Sequence, residues 1–445
     1  RPSGRPPMAR LFRSSQPQLR ALLSPAVVAT GLLVGELAAG LVIVRRIRYT
    51  EIDWKAYMQE VQAVADGERD YTVIRANTGP LVYPAGFVWL FLGLHRLTGA
   101  DPDCCRLPQT AVTESDRCVS GGGDIEMAQH IYLLLYLVTL AVVLEIYRVC
   151  RVPTWAWPLG CLSFRVHSLY LLRLFNDAPA MLCLYAFVAA YSHRCFALGA
   201  MFFSAALSLK MNALLFAPAL ALVTLKECGW VGAIVRAIPA LALQALLAAP
   251  FLRANASGYF ARAFDFTRAF EHRWSVNWAM LSPVTFGDPR FANALLGAHI
   301  ALLGAFAHRK WCRNDGGLVG LLVSAFGGPS PLSSSPSIVA RSTAITALVC
   351  NFIGIVTARS LHYQFYLFYF HSVPVLLWST PLPVVVKLLV WMGIEAGYNV
   401  YPATPSSSTL LQASHVVLLI GLWLGDAGLA PSREPSARSL SKKDT

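Results

Sequence analysis

The sequence predicts an all-α polytopic membrane protein with about twelve transmembrane helices. Three observations carry this reading. Apolar runs of roughly twenty residues recur along the chain, the length a helix needs to cross a hydrocarbon core with its backbone satisfied internally. Only 14% of the residues are charged and 56% are hydrophobic, where a soluble domain carries about 25% charged residues. The formal charge of +13, from 37 basic and 24 acidic residues, is scattered singly between the apolar runs. That pattern fits basic cytosolic loops rather than a nucleic-acid-binding face.

Residues 1–21 form a basic arm with Arg1, Arg5, Arg10, Arg13 and Arg20 among prolines and serines, which argues for a cytosolic N-terminus. The first apolar run, Leu22 to Val44, has no clear cleavage site after it and reads as a retained helix. Arg45, Arg46 and Arg48 flank its far end and oppose the charge rule locally; the later loops outvote them. Residues 49–127 then form the first non-cytosolic loop. Within it, Leu81 to Gly99 is apolar but interrupted by Tyr83-Pro84-Ala85-Gly86, and reads as re-entrant. Further spans are expected at about 128–147, 154–172, 178–192, 196–211, 213–225, 230–252, 291–308, 343–358, 363–378, 381–396 and 412–428. The loops at 148–151, 193–194, 226 and 309–342 are then basic and cytosolic. If 81–99 crosses instead, all of them change side. The integral domain is 22–428, followed by a tail at 429–445 that is cytosolic on this count.

On this topology the other face collects polar groups from distant parts of the chain, and such groups near a bilayer mark functional sites by default. Six of the 24 acids fall between Glu51 and Asp70. Glu51 and Asp53 sit one residue apart, so in an extended loop they share a face. Such a pair can hold a divalent metal, or one member can serve as a general base toward a hydroxyl; a solvated loop with incidental acids is the plain alternative. Trp54, Tyr57 and Tyr71 beside them offer ring faces for a sugar. Asn77 to Pro84 holds two prolines and a glycine, hence a rigid turn, with Tyr83 able to line a pocket. Arg173, Asn176 and Asp177 lie at a span end, as an ion pair or as a donor and acceptor set for sugar hydroxyls. Lys210 ends an apolar run and can snorkel or meet a phosphate. Arg359, His362, Tyr363 and Gln364 form a dense polar group, and Arg is the better planar phosphate clamp. Arg268, Arg273, Trp274 and Asn277 line or rim the 253–278 loop. The Asn255 sequon lies close to the membrane, which argues against its use.

Ten cysteines are spread singly, with no CxxC and no zinc spacing. Cys104, Cys105 and Cys118 cluster in a polar segment, where an oxidising compartment allows one disulfide. Lys442 and Lys443 stand at the positions of a dilysine retrieval signal of the endoplasmic reticulum.

Several segments, in order from about residue 49 to 428, resemble one family: YTEIDWKAYM, DYT with TGPLVYPAGF, RVHSLYLLRLFNDAPAM, SLKMNALLFAPAL, SGYF with FDFTRAF and VNW, RSLHYQFYLFYFHSVP and YNVYPATPSSS. These resemble the dolichyl-phosphate-mannose-dependent α-1,3-mannosyltransferases of asparagine-linked glycan assembly. The resemblance implies a GT-C fold in the endoplasmic reticulum membrane. It implies a lipid-linked Man5GlcNAc2 acceptor and a luminal transfer with no cofactor or metal. It points to Asp53 as the base with Glu51 orienting it or the sugar, and to Arg359, His362 and Lys210 on the lipid phosphate. Residues 100–123 look like an extra segment. Two rivals from other classes are a lipid or sugar transporter and a non-catalytic scaffold; no internal repeat supports the first.

Overall fold

The computed structural model describes residues 24–106, 123–267, 271–328 and 335–425. The basic arm at 1–21, Cys118 with most of the 100–123 segment, Arg268, and Lys442 and Lys443 lie outside them. Among the described residues the chain is helical apart from one short hairpin, Arg75–Ala76 paired with Gly79–Pro80 across the Asn77–Thr78 turn.

Eleven helices frame the molecule. They are α1 (Pro25–Arg46), α2 (Trp54–Ala65), α3 (Ala85–Leu97), α4 (Ile125–Val149), α5 (Asp177–Ser192) and α6 (Phe196–Leu209), then α7 (Ala217–Ala263), α8 (Pro289–Phe306), α9 (Pro336–Val356), α10 (Val384–Asn399) and α11 (Pro405–Leu424). Their ends follow local chemistry. Ser24 caps α1 with Pro25 at its first position, and Thr404 and Ser407 form a reciprocal capping box on α11, satisfying amides that the helix cannot pair itself.

Among the described residues six helices are long and apolar enough to cross a membrane, or seven if the bent pair Phe164–Leu172 and Asp177–Ser192 is one span. Four expected runs differ from single straight helices. Residues 154–172 open as a 3-10 turn around Pro158, then a four-residue helix, then a π turn at Ser168–Leu172. Proline lacks the amide and clashes with the preceding turn. The runs at 213–225 and 230–252 merge into α7, bent at Gly229 with φ 65°. Residues 363–378 form two 3-10 turns and a six-residue helix. The 81–99 run yields only the 13-residue α3, about 20 Å long and too short to span.

The outward faces of α1, α7 and α8 are apolar and exposed, with Val34, Val231 and Ile300 among them; that is how lipid-facing helices look. One continuous apolar cluster fills the interior from Trp54 through Tyr170 and Phe352 to Leu422. Inside it lies a polar link that the sequence did not announce. Glu36 of α1 accepts from the Tyr136 hydroxyl of α4 at 2.8 Å and meets His167 Nε2 at 2.5 Å. This ties α1 to the bundle, and Gly40 lets it approach closely, since a Cβ there would overlap Leu133 of α4.

Candidate active site at the head of helix α2

The site is built where α2 begins. Asp53 occupies the N-cap, a position whose carboxylate ordinarily binds an amide of the first turn. Here it makes no such bond. Glu51 does the capping instead: its Oε1 accepts from the Lys55 amide at 2.9 Å, and its Oε2 accepts from the Tyr49 hydroxyl at 2.7 Å. Burial raises the Glu51 carboxyl above its ordinary value, opposed by those two hydrogen bonds. Asp53, half-buried, accepts from the Tyr57 hydroxyl one turn along α2, at 3.3 Å.

Tyr57 carries the connection inward. Its hydroxyl also lies 3.3 Å from Asn176 Oδ1, and the same oxygen accepts from Lys210 Nζ at 3.1 Å. Lys210 Nζ in turn pairs with Asp177 Oδ1 at 2.6 Å. Asn176, Asp177 and Lys210 are all buried. A buried pair of this kind holds only with its charges matched and hydrogen-bonded. The Lys210 ammonium lies under 6 Å from the rings of Tyr83, Phe365 and Phe368. Lys210 is therefore no snorkelling residue and its charge is already matched within the fold.

Backbone geometry brings these groups together. Between the Ser168–Leu172 turn and α5 the chain bends by 114°, with Leu174 at φ 50°. A bulky residue at positive φ is strained, at a cost of about 1–3 kcal/mol. The bend sets Arg173 on one side and Asn176–Asp177 on the other. The Thr50 amide donates to the Leu172 carbonyl at 2.9 Å, holding the head of α2 against it.

Tyr363 is the second centre. The Arg165 and Arg173 guanidiniums lie 5.3 Å and 5.8 Å from its ring centroid, and Asp53 is within its electrostatic reach. Arg165 donates to the carbonyls of Tyr398 and Asn399, and Arg173 donates to Ser168 Oγ. Among the described residues neither arginine has a carboxylate partner. His362 stacks near Tyr363, with centroids 4.0 Å apart, and lies 3.2 Å from Gln364 Oε1. Burial pushes its imidazole down to about 4, helped by the Lys210 and Arg165 cations and opposed by Gln364. It is a neutral hydrogen-bonding group at pH 7.

Other expected residues fall elsewhere. Trp54 is wholly buried against Phe91 and Tyr132, so it is a core residue with no ring face for a sugar. Arg359 sits in the 357–361 loop, fastened by Asn277 and Trp278 to the Ala358 carbonyl at 2.9 Å each. Among the described residues its buried Nε has no hydrogen-bond partner, and no contact joins it to the Asp53–Lys210 network. Asn255 of the sequon donates to Asp70 and accepts from the Gly258 amide and Ser257. Cys104 is disulfide-bonded. Among the described residues no three His, Cys, Asp or Glu side chains are grouped to hold a metal ion.

Arg165 escaped the sequence reading. A lone arginine inside an apolar run, eight residues before Arg173, was the available signal.

The arrangement thus offers a partly exposed carboxylate, a buried network fixing its tyrosine partner, and two guanidiniums that pair with no carboxylate among the described residues, both near one tyrosine ring. The family model described as "ALG3 protein" matches residues 30–408. This chain belongs to the ALG3 protein family. Its relatives in that family include proteins named Dol-P-Man:Man(5)GlcNAc(2)-PP-Dol alpha-1,3-mannosyltransferase. The one from Arabidopsis thaliana is 43% identical over 421 residues, covering 92% of this chain and 90% of the relative. The one from Homo sapiens is 41% identical, with 94% and 90% covered. The one from Neurospora crassa is 34% identical, with 100% and 98% covered. The ALG3 match spans every element of the site, from Asp53 to the Tyr363 group.

Proposed function

We propose that this chain is an inverting mannosyltransferase. It moves mannose from dolichyl-phosphate-mannose to the lipid-linked Man5GlcNAc2-PP-dolichol in α-1,3 linkage. The observation that carries the reading is the division of labour at α2: Glu51 caps the helix, while Asp53 stands half-buried at its head beside the Tyr57 hydroxyl. In the reaction Asp53 takes the proton of the acceptor 3-hydroxyl as that oxygen attacks the anomeric carbon of mannose. The carbon–oxygen bond to phosphate breaks, and its electron pair leaves with dolichyl phosphate. One displacement turns the donor's β linkage into an α product. A phosphate leaving group needs no protonation, only positive charge nearby. Arg173 and Arg165 supply it, His362 stands beside them as a neutral imidazole whose Nδ1–H is held by Gln364, and Arg359 lines the approach. Lys210 and Asp177 act at one remove, holding Asn176 and thereby Tyr57 against the base. Gln364 fixes His362, and Tyr83 walls the pocket. Because the guanidiniums neutralise the leaving group, the reaction runs without a resident metal or cofactor.

The fold that suits this chemistry is the GT-C arrangement. Its count of about twelve crossings includes the shorter and broken helices beside the six long ones. The Asp53 face is luminal in the endoplasmic reticulum membrane and both chain ends are cytosolic, a placement supported by the basic loops of the opposite surface. A transporter would need its polar groups at mid-membrane between two repeats; here they gather at one end of the bundle. Purified protein incubated with labelled dolichyl-phosphate-mannose and the Man5 lipid-linked acceptor tests the proposal. Addition of one mannose, cleaved by an α-1,3-specific mannosidase, is expected; no transfer, or another linkage, contradicts it.

A further inference from the structure

At the far end of the bundle lies a cavity that the transfer reaction does not use. It has a volume of about 770 Å³ and is lined by His308, Arg309, Lys310, Arg313 and Trp423, with no carboxylate in its wall. Its distance from the catalytic end follows from two helices. The start of α11 lies beside the site loops, where Ser408 Oγ accepts from the Ala279 amide, and Trp423 is at the other end of its 20 residues. From Ser408 to Trp423, at 1.5 Å per residue, that is about 22 Å, most of the thickness of a hydrocarbon core. Helix α8 runs the same way, from Phe291 against Trp278 to Phe306 against Trp423.

The cavity is a formed structure. The chain reverses over Gly316 and Gly317, both at positive φ, and a Cβ on Gly317 would overlap the His308 ring. Lys310 donates to the Gly425 carbonyl at 3.2 Å, and its ammonium lies 5.5 Å from the Trp423 ring. Among the described residues Arg309 and Arg313 form no ion pair. The neighbouring acid, Asp315, is committed to Lys226 at 2.8 Å. Beside the basic wall the helices turn apolar: Ile300 of α8 and Ile420 and Leu424 of α11 are exposed. A cationic pocket with a tryptophan at its rim, set above an apolar flank, matches a phospholipid in its leaflet.

We propose that this cavity binds the headgroup of an anionic phospholipid in the leaflet opposite the catalytic site. Arg309 and Arg313 meet the phosphate and the acyl chains lie along α8 and α11. The 426–445 segment that follows Leu424 carries four basic and three acidic residues, so its charge does not suit it as the occupant.

Native mass spectrometry of the full-length protein, released from detergent with added phosphatidylinositol or phosphatidylcholine, tests this. The wild type is expected to retain phosphatidylinositol at least five-fold better than phosphatidylcholine, and an Arg309→Gln/Arg313→Gln variant to lose that preference while keeping mannosyl transfer. Equal retention of both lipids by the wild type overturns the proposal, as does undiminished preference in the variant. Displacement of the lipid by millimolar inorganic phosphate would assign the cavity to a soluble anion and likewise overturn it. If the variant loses transfer activity as well, Trp423→Ala in the wild-type background replaces it in the same comparison, with the same outcomes deciding.

Discussion

Asp53 and Glu51 stand on either side of Ile52 and are chemically alike, and their neighbours separate them. Glu51 is held by an amide and a phenol, which is a structural task. Asp53 caps no amide of α2 and accepts from the Tyr57 hydroxyl one turn along it. The same logic separates the cations. Lys210 carries a counter-ion at 2.6 Å, whereas among the described residues Arg165 and Arg173 do not. His362 carries no charge at neutral pH. Its folded value of about 4 lies below the ordinary 6.5, so on acidification the unfolded chain takes the proton first. Stability therefore falls as pH drops from about 6.5 towards 4. In a His362→Gln variant the loss of thermal midpoint between pH 7 and pH 5 should be smaller than in the wild type. The shape of the rate profile from pH 6 to 8 should be unchanged. A profile whose limb in that range disappears with His362 would contradict the neutral assignment.

At the scale of elements, the site depends on a joint rather than on a helix face. Leu174 at positive φ bends the chain between Leu172 and α5, and the buried Lys210–Asp177 pair fastens α5 to the end of α6. Breaking a buried pair by removing one partner costs about 3–5 kcal/mol, because the other charge is left unmatched, while replacing both with apolar groups is often neutral. Asp177→Asn should therefore lower the thermal midpoint sharply. The double variant Lys210→Met/Asp177→Leu should recover most of the stability. It should not recover activity, since Asn176 then loses the ammonium that orients it. Equal recovery of both would reduce the pair to a structural clamp.

For the whole molecule, the membrane class and the gathering of polar groups at one end were legible in the sequence. Charged residues at the ends of apolar runs are conspicuous, and 51–53, 173–177 and 362–364 all stand there. Three features were not legible. Glu36 and His167 meet across 131 residues, and no local pattern joins them. Arg165 was hidden inside a run read as a straight span. The breaks in the helices were hidden because hydropathy counts apolar residues without regard to backbone: Pro158 and the 3-10 turns at Tyr363–Phe368 interrupt runs that composition presents as continuous, and Gly229 bends one helix where composition presents two. Trp54 was misjudged for a related reason, since an aromatic beside a candidate acid can face the core as readily as the pocket.

The Glu51 cap, the Tyr57–Asn176–Lys210 network and the bend at Leu174 all bear on one proton acceptor at the head of α2. The most direct measurement is mannosyl transfer by Asp53→Asn, purified in parallel with the wild type and matched to it in thermal midpoint. The amide keeps the shape and removes the basicity, so the rate should fall by at least about 10²–10⁴-fold with donor binding retained. Wild-type turnover in a folded Asp53→Asn protein would contradict the account.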